Sequence, residues 1–167
     1  MNALGKAALH YASLGWYVLA LHNAIAGGGC SCGRADCKSP GKHPRTKRGC
    51  KDASADPSQI EAWWGKWPCA NIGIATGAVS GIVVLDIDGA EGVATLQTLI
   101  AEYGLLPRTP VVQTARGLHF YFKLPQGVSV PCSTGNGLDI RGNGGYVVAP
   151  PSIHSSGHVY QWCSNVR

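Results

Sequence analysis

The segment that decides the fold is Gly81-Ile82-Val83-Val84-Leu85-Asp86-Ile87-Asp88-Gly89, an apolar run that ends in two carboxylates. β-Branched residues in such a run favour an extended strand. Side chains alternate between the faces of a strand, so Asp86 and Asp88 share one face, and we expect Leu85 and Ile87 to point into the core. Two like charges so close repel each other unless a cation lies between them, and a divalent metal ion is the usual solution. The alternative is a solvated strand end followed by an Asp-Gly turn.

Two later segments repeat this division into an apolar face and a polar face. Alternation places His119 opposite the apolar side chains of residues 118–124, and it places Asp139 and Arg141 opposite those of residues 138–141. Three strands with this pattern predict a shared polar cleft. Three carboxylates can hold one or two Mg²⁺ or Mn²⁺ ions, which lower the pKa of an attacking hydroxyl and neutralise charge on phosphorus. The pattern therefore suits metal-dependent phosphoryl or nucleotidyl transfer.

The rest of the chain predicts a mixed domain of class α+β (α/β). Its 167 residues suit one domain, and its 23 Gly and 10 Pro suit short strands joined by tight turns. Apolar spacing predicts helices over residues 4–14 and 92–103, and a third that begins after an Asp56 N-cap. Strands are predicted over residues 16–21, 72–76, 82–88, 111–114, 118–124, 138–141, 146–149 and 158–162. This order implies a largely meandering sheet with helices packed on one face.

Residues 26–52 form a long polar insertion without apolar periodicity. A loop of that length usually has its own cross-link or a function. Three thiols and one imidazole lie within fourteen residues of it, at Cys30, Cys32, Cys37 and His43. This is the ligand complement of a closed tetrahedral zinc site, so we expect a zinc-binding insertion at about residues 27–50. Free thiols, a redox pair or Cys50 as a replacement ligand are the alternatives.

Charge and cysteine content indicate the compartment and the class of partner. The net charge is +5, and residues 42–51 hold five Lys or Arg and no acid, which favours an anionic partner as much as a solvated loop. No segment has the roughly 18 uninterrupted apolar residues of a membrane span, and the N-terminus lacks the pattern of a signal peptide. We therefore expect a cytoplasmic protein with no membrane partner, whose clustered cysteines bind metal rather than form disulfides.

Three short motifs follow one another along the chain. They are Asp86-x-Asp88, Gly117-x-His119 and hydrophobic-Asp139. Their order resembles the archaeo-eukaryotic primase superfamily and, within it, the bifunctional DNA primase/polymerase (Prim-Pol) domain of plasmid, phage and integrated-element replication proteins. The resemblance covers most of the chain, from residues 11–16 to residues 139–152.

This resemblance implies an RRM-like, mainly antiparallel sheet beneath a cleft, in one catalytic domain over residues 1–167. The implied catalytic ligands of Mg²⁺ or Mn²⁺ are Asp86, Asp88 and Asp139. The implied nucleotide-binding residues are His119, Arg116, Thr114, Gly117, Arg141 and Lys42. The implied activity is two-metal, template-directed nucleotidyl transfer from nucleoside triphosphates on single-stranded DNA in mobile-element replication, with a helicase domain downstream or in trans as a further partner. The superfamily often has Ser where this chain has Gly117, so a backbone N–H or Thr114 would replace that hydroxyl.

Two other functions compete with this interpretation. Residues 83–89 also resemble the first motif of haloacid-dehalogenase-type phosphatases, but that family expects Thr or Val at Ala90 and a later acidic pair where this chain has only Asp139. A non-catalytic single-stranded nucleic-acid-binding module would use the basic loop and the sheet aromatics without metal. Bare carboxylates repel phosphate, which argues against that module.

Overall fold

Within residues 1–164, which the computed structural model describes, the chain forms three α-helices and eight β-strands. The helices are α1 (Ala3–Ser13), α2 (Pro57–Lys66) and α3 (Gly89–Tyr103). The strands are β1 (Val18–Leu21), β2 (Asn71–Ala75), β3 (Ile82–Asp88), β4 (Val111–Gln113), β5 (Gly117–Lys123), β6 (Leu138–Arg141), β7 (Tyr146–Ala149) and β8 (Gln161–Trp162). Each predicted helix and strand corresponds to an observed one. The largest differences are that α3 begins three residues earlier and β8 three residues later.

The strands form two antiparallel sheets, which confirms the mixed α+β class. One sheet has the order β1-β2-β7, and the other has the order β6-β3-β5-β4-β8. The expected single meander is divided, because the chain changes sheets between β2 and β3, between β7 and β8, and, through the short connection 142–145, between β6 and β7. Thr76 fastens this connection, since its Oγ1 donates to Gly142 O at 2.7 Å and its N–H donates to Gly145 O at 3.0 Å.

The ends of the helices follow from local sequence. Asp56 caps α2 by accepting a hydrogen bond from Ser58 N–H at 3.1 Å, and Pro57 occupies the first helical position, where its missing N–H costs nothing. Asn2 caps α1 in the same way through Gly5 N–H. Gly15 follows α1 with φ +81°, a conformation that glycine adopts without strain, and so turns the chain into β1.

The main hydrophobic core is shared by α1, α2 and both sheets. β1 and β2 are buried along their whole length. Trp64 of α2 is buried and donates its indole N–H to Ala70 O at 3.1 Å, which satisfies its polar atom. Trp16 stacks on Tyr121 of β5, with ring centroids 5.8 Å apart, and so links the N-terminal region to the five-stranded sheet.

The face of β5 that carries His119 is the more deeply buried of its two faces. Tyr121 and His119 are only 3% and 6% exposed, whereas Phe120 and Phe122 on the opposite face are partly buried. The reason is the second sheet, whose residues share a core with Tyr121 and with Val84 of β3. α3 packs against the neighbouring strands β3 and β6 of the same sheet.

Two glycines allow α3 to lie close to the start of β6. A Cβ on Gly92 would collide with the carbonyl oxygen of Gly137, and a Cβ on Gly137 would collide with Gly92 N. The same carbonyl of Gly137 accepts a hydrogen bond from Asp88 N–H at 2.7 Å. This close approach therefore fixes the end of β3 against the beginning of β6.

We predict that Gly92→Ala lowers the free energy of unfolding by about 1–3 kcal/mol, because the new methyl group displaces backbone atoms. Gly65→Ala is the matched control, since Gly65 also lies in a helix but a Cβ there meets no atom within 4 Å. That control should be more stable than wild type by about 0.5–1 kcal/mol, the helix-propensity difference. Urea unfolding measures both, and equal effects of the two substitutions would contradict the contact.

Candidate active site and metal centre

The centre of the candidate site is a row of three side chains on adjacent strands. The register pairs Asp86 of β3 with His119 of β5 on one side and with Asp139 of β6 on the other. Residues directly opposite each other on neighbouring strands project from the same face. His119 Nε2 lies 3.3 Å from Asp86 Oδ1. The Nδ1 atom of His119 is buried, and the described residues offer it no hydrogen-bond partner.

Arginines offset the negative charge of this row. One guanidinium nitrogen of Arg141 lies 2.7 Å from Asp139 Oδ2 and 3.3 Å from Asp86 Oδ2, so it stands between the two carboxylates. Arg116 forms an ion pair with Asp88 at the end of β3. Each of the three predicted carboxylates therefore has a cationic partner.

The three carboxylates supply the right donors for a divalent cation but are not drawn together as a cluster. Oxygen ligands are those that Mg²⁺ and Mn²⁺ prefer. Asp86 and Asp139 both accept hydrogen bonds from Arg141, whereas Asp88 accepts one from Arg116. The chemistry of the donors fits such an ion, and the guanidinium of Arg141 marks where positive charge is accommodated between two of them.

Electrostatics keep Asp86 ionised in spite of its burial. Burial raises the pKa of this carboxyl, but the hydrogen bond and charge interaction with His119 and the contact with Arg141 outweigh it, so the pKa is lower than usual. Nearby, burial and the charges of Asp86 and Asp88 raise the pKa of Tyr160 to about 12. Tyr160 therefore stays a neutral hydroxyl beside the carboxylates.

These groups lie in or beside a cleft of about 500 Å³. Seven of the predicted residues line it, namely Lys42, Asp86, Asp88, Thr114, Arg116, His119 and Arg141. Asp139 and Gly117 do not line it. Asp139 accepts a hydrogen bond from the lining residue Arg141, and Gly117 N–H donates to the hydroxyl of the lining residue Thr114.

Among the cleft-lining side chains that carry a thiol, hydroxyl or imidazole, sequence reasoning missed four, which are Cys132, Tyr146, His154 and Tyr160. They come from the β5–β6 connection, from β7 and from the chain before β8. Tyr160 follows alternation in the segment 158–162 and could have been found from it. His154 lies in a turn, and only tertiary packing brings that turn to the cleft.

The second site is a cluster of the four predicted ligands Cys30, Cys32, Cys37 and His43. Among the described residues it is the one group of three or more His, Cys, Asp or Glu whose ligand atoms all lie within 4.8 Å of one another. His43 Nε2 is 3.4 Å from Cys30 Sγ and 3.5 Å from Cys37 Sγ. Ligands on a tetrahedral zinc ion are separated by about 3.6 Å, as Zn–S and Zn–N bonds of about 2.3 and 2.1 Å require.

The environment of this cluster favours metal binding. Burial raises the pKa of the Cys30 thiol, but hydrogen bonds from the backbone of Gly41 and Cys32 bring it down to about 6. Thiolate is the form that binds metal. Cys50, the alternative ligand, instead donates its thiol hydrogen to Gly144 O at 3.0 Å, which removes it from the set.

Comparison with known families identifies the domain. The family model described as bifunctional DNA primase/polymerase, N-terminal, matches residues 8–167. The chain belongs to this family. A search of curated proteins found no match. In the part of the primase/polymerase domain that the structure describes, no helix combines the length and apolarity needed to cross a membrane.

The turn between β4 and β5 ends at Gly117, at the position where the primase superfamily is expected often to have serine. Thr114 Oγ1 accepts hydrogen bonds from Gly117 N–H at 2.9 Å and from Arg116 N–H at 3.3 Å. A Cβ on Gly117 would collide with the carbonyl oxygen of Ile87 in β3. The hydroxyl that lines the cleft at this turn therefore belongs to Thr114, and the N–H of Gly117 is occupied by it.

We predict that Gly117→Ser lowers the free energy of unfolding by about 1–3 kcal/mol and does not raise activity, because the side chain collides with β3. Gly135→Ser is the matched control, since a Cβ there meets no atom within 4 Å. Thermal unfolding of the two variants provides the measurement. A fully stable Gly117→Ser variant would show that the strands can separate to admit a side chain.

We predict one tightly held zinc ion per chain, because the insertion lacks an apolar core that could order it otherwise. Elemental analysis of protein purified without added metal should give about one equivalent, and Cys32→Ser with Cys37→Ser should remove it. Cys69→Ser with Cys163→Ser is the control that should keep the metal, since neither thiol belongs to the cluster. Unchanged zinc content in the Cys32/Cys37 variant would refute the assignment.

Proposed function

We propose that this domain carries out template-directed nucleotidyl transfer as a DNA primase or DNA polymerase, with Mg²⁺ or Mn²⁺ held by Asp86, Asp88 and Asp139. The observation that carries the proposal is the row Asp139–Asp86–His119 across three hydrogen-bonded strands. This row combines metal donors with a phosphate-binding imidazole at the edge of a cleft. When bound, the metal ions would lower the pKa of the attacking hydroxyl and neutralise the charge that develops on the transferred phosphorus.

The arginines would change partners when substrate binds. Without a metal ion, Arg141 and Arg116 neutralise the acidic side chains of the site. A metal ion bound to the same carboxylates would replace the arginines as their positive partner. Their planar guanidinium groups can then bind phosphate oxygens with two hydrogen bonds each. Negative charge in the cleft is therefore balanced both before and after the substrate enters.

Other residues of the cleft would bind the nucleotide. Lys42 and Thr114 line it beside Arg116 and can donate to phosphate oxygens. The unpartnered Nδ1 of His119 supports the idea that the site is completed by a ligand, because buried polar atoms are normally hydrogen-bonded. The zinc-binding insertion at about residues 27–50 would be structural, since its four ligands leave no open coordination position.

The wider role follows from the family resemblance. We propose one catalytic domain over residues 1–167 that makes primers or extends DNA on single-stranded template from nucleoside triphosphates. We place it in the cytoplasm, in the replication of a plasmid, phage or integrated element, with a helicase downstream or in trans. The positive net charge of +5 supports a nucleic-acid partner.

The competing functions have less support. The family match favours nucleotidyl transfer over a haloacid-dehalogenase-type phosphatase. In such a phosphatase Asp86 would be the nucleophile, but its carboxylate contacts both His119 and Arg141. A purely binding module would not need three carboxylates in or beside the cleft.

We predict that Asp86→Asn and Asp139→Asn each reduce nucleotide incorporation on a single-stranded template by at least about 100-fold, because each removes a metal ligand. Affinity for the template should stay the same or rise, since a negative charge facing phosphate is lost. Glu102→Gln, an exposed acid on α3, is the control that should keep full activity.

Thermal stability provides a second readout of the same variants. Mn²⁺ should raise the melting temperature of wild type and of Glu102→Gln by binding the folded state, but not that of the Asp86→Asn variant. Incorporation that persists in Asp86→Asn protein free of contaminating polymerase would overturn the catalytic role. Loss of template affinity together with activity would instead indicate a structural role for Asp86.

A further inference from the structure

A second recess, of about 290 Å³, lies beside the catalytic cleft and shares Lys42, Arg116 and His154 with it. Its described lining consists of Lys38, Ser39, Pro40, Lys42, Arg116, His154 and Ser155. The shared residues make the recess an extension of the cleft on the side where Arg116 pairs with Asp88.

One wall of this recess is the segment between two of the cluster ligands. Residues 38–42 lie between Cys37 and His43, so the cluster would hold both ends of the segment. The backbone of the segment is also tied to the core: Asn71 Nδ2 donates to Gly41 O at 2.8 Å, and the hydroxyl of Tyr146 donates to Lys42 O at 3.0 Å. The wall that carries Lys38 and Lys42 is therefore fixed relative to the cleft.

The recess concentrates positive charge. Three cationic side chains line it, of which Arg116 is paired with Asp88 of the neighbouring cleft, and none of the described lining residues is acidic. Burial, followed by the charge of Arg116, lowers the pKa of Lys42, and burial, followed by Lys42 and Arg116, lowers that of His154. These groups repel one another, and a bound anion would relieve the repulsion.

Other groups of the lining add hydrogen-bond donors. Ser156 N–H donates to Nδ1 of His154 at 3.1 Å, so in the neutral ring the proton lies on Nε2. Nε2–H of His154 and the hydroxyls of Ser39 and Ser155 are then available as donors. Lysine, imidazole and hydroxyl donors around a cationic recess are the groups that bind phosphate.

We propose that this recess binds the terminal phosphate of the incoming nucleoside triphosphate, with the Cys37–His43 segment as one wall. The inference rests on the proposed function, in which the cleft holds the reacting end of the same nucleotide. A single-stranded DNA backbone is the less suitable occupant, because strand-binding grooves present aromatic platforms for the bases, and the described lining contains no Phe, Tyr or Trp. The recess would thus distinguish triphosphates from monophosphates.

The test compares charge changes at Lys38 with the same changes at Lys47, another exposed lysine of the insertion that does not line the recess. Matched changes in net charge cancel long-range effects on binding. Binding of dATP, dAMP, inorganic tripolyphosphate and a single-stranded oligonucleotide is measured calorimetrically without turnover. All variants should keep the unfolding curve of wild type, because both lysines are exposed.

We expect Lys38→Gln to weaken dATP and tripolyphosphate about three- to fivefold and Lys38→Glu about tenfold or more, with dAMP and oligonucleotide affinity unchanged. Equal effects of the Lys38 and Lys47 variants, equal losses for dATP and dAMP, or a selective loss of oligonucleotide affinity would overturn the proposal.

Nucleotide incorporation by wild type separates the two proposals. If wild type incorporates nucleotides but the Lys38 variants bind dATP and tripolyphosphate like wild type, the recess is not a phosphate site and the proposed function stands. If tripolyphosphate binding depends on Lys38 but wild type incorporates no nucleotide, the recess is a polyphosphate site and the proposed function is wrong.

Discussion

The structure depends on how three acidic side chains are accommodated at the edge of a hydrophobic core. Asp86 lies on the same face of β3 as Val84, which is completely buried, and only two residues from it. A charge in that position is stable only with partners, and Arg141 and His119 provide them from the two neighbouring strands. The antiparallel order β6-β3-β5 is therefore a requirement of the site, because it places one partner on each side of Asp86.

The three-stranded sheet and the long insertion both border the cleft. The three-stranded sheet, with α1 and α2, covers the apolar end of the face that bears the carboxylates and leaves the polar end open as a cleft. The long insertion reaches this cleft, because Lys42 lines it and Lys42 O accepts a hydrogen bond from the hydroxyl of Tyr146, another lining residue. The Cys/His cluster of the insertion therefore lies near the cleft, although most residues of the two sites are distant in sequence.

Sequence reasoning was most successful where local chemistry decides the structure. The period-two alternation around Asp86, the start of α2 after the Asp56 cap and the thiol cluster could all be found from neighbouring residues. The division into two sheets could not, because it depends on where the connection after Arg141 sends β7. For the same reason the sequence pattern did not reveal that the polar face of β5 is the more deeply buried one, since alternation shows that two faces differ but not which layer covers each. His154 was missed because a turn has no periodicity.

The connection 142–145 also constrains how the domain can change in evolution. It joins the last residue of β6 in one sheet to the first residue of β7 in the other sheet through four positions, and Thr76 is bonded to both of its ends. An inserted residue here would shift the two sheets relative to each other and move Arg141 away from the acids. The exposed stretch before β6, around residues 125–128, carries no such coupling. Insertions and deletions in related sequences should therefore occur in that stretch and not in the connection 142–145.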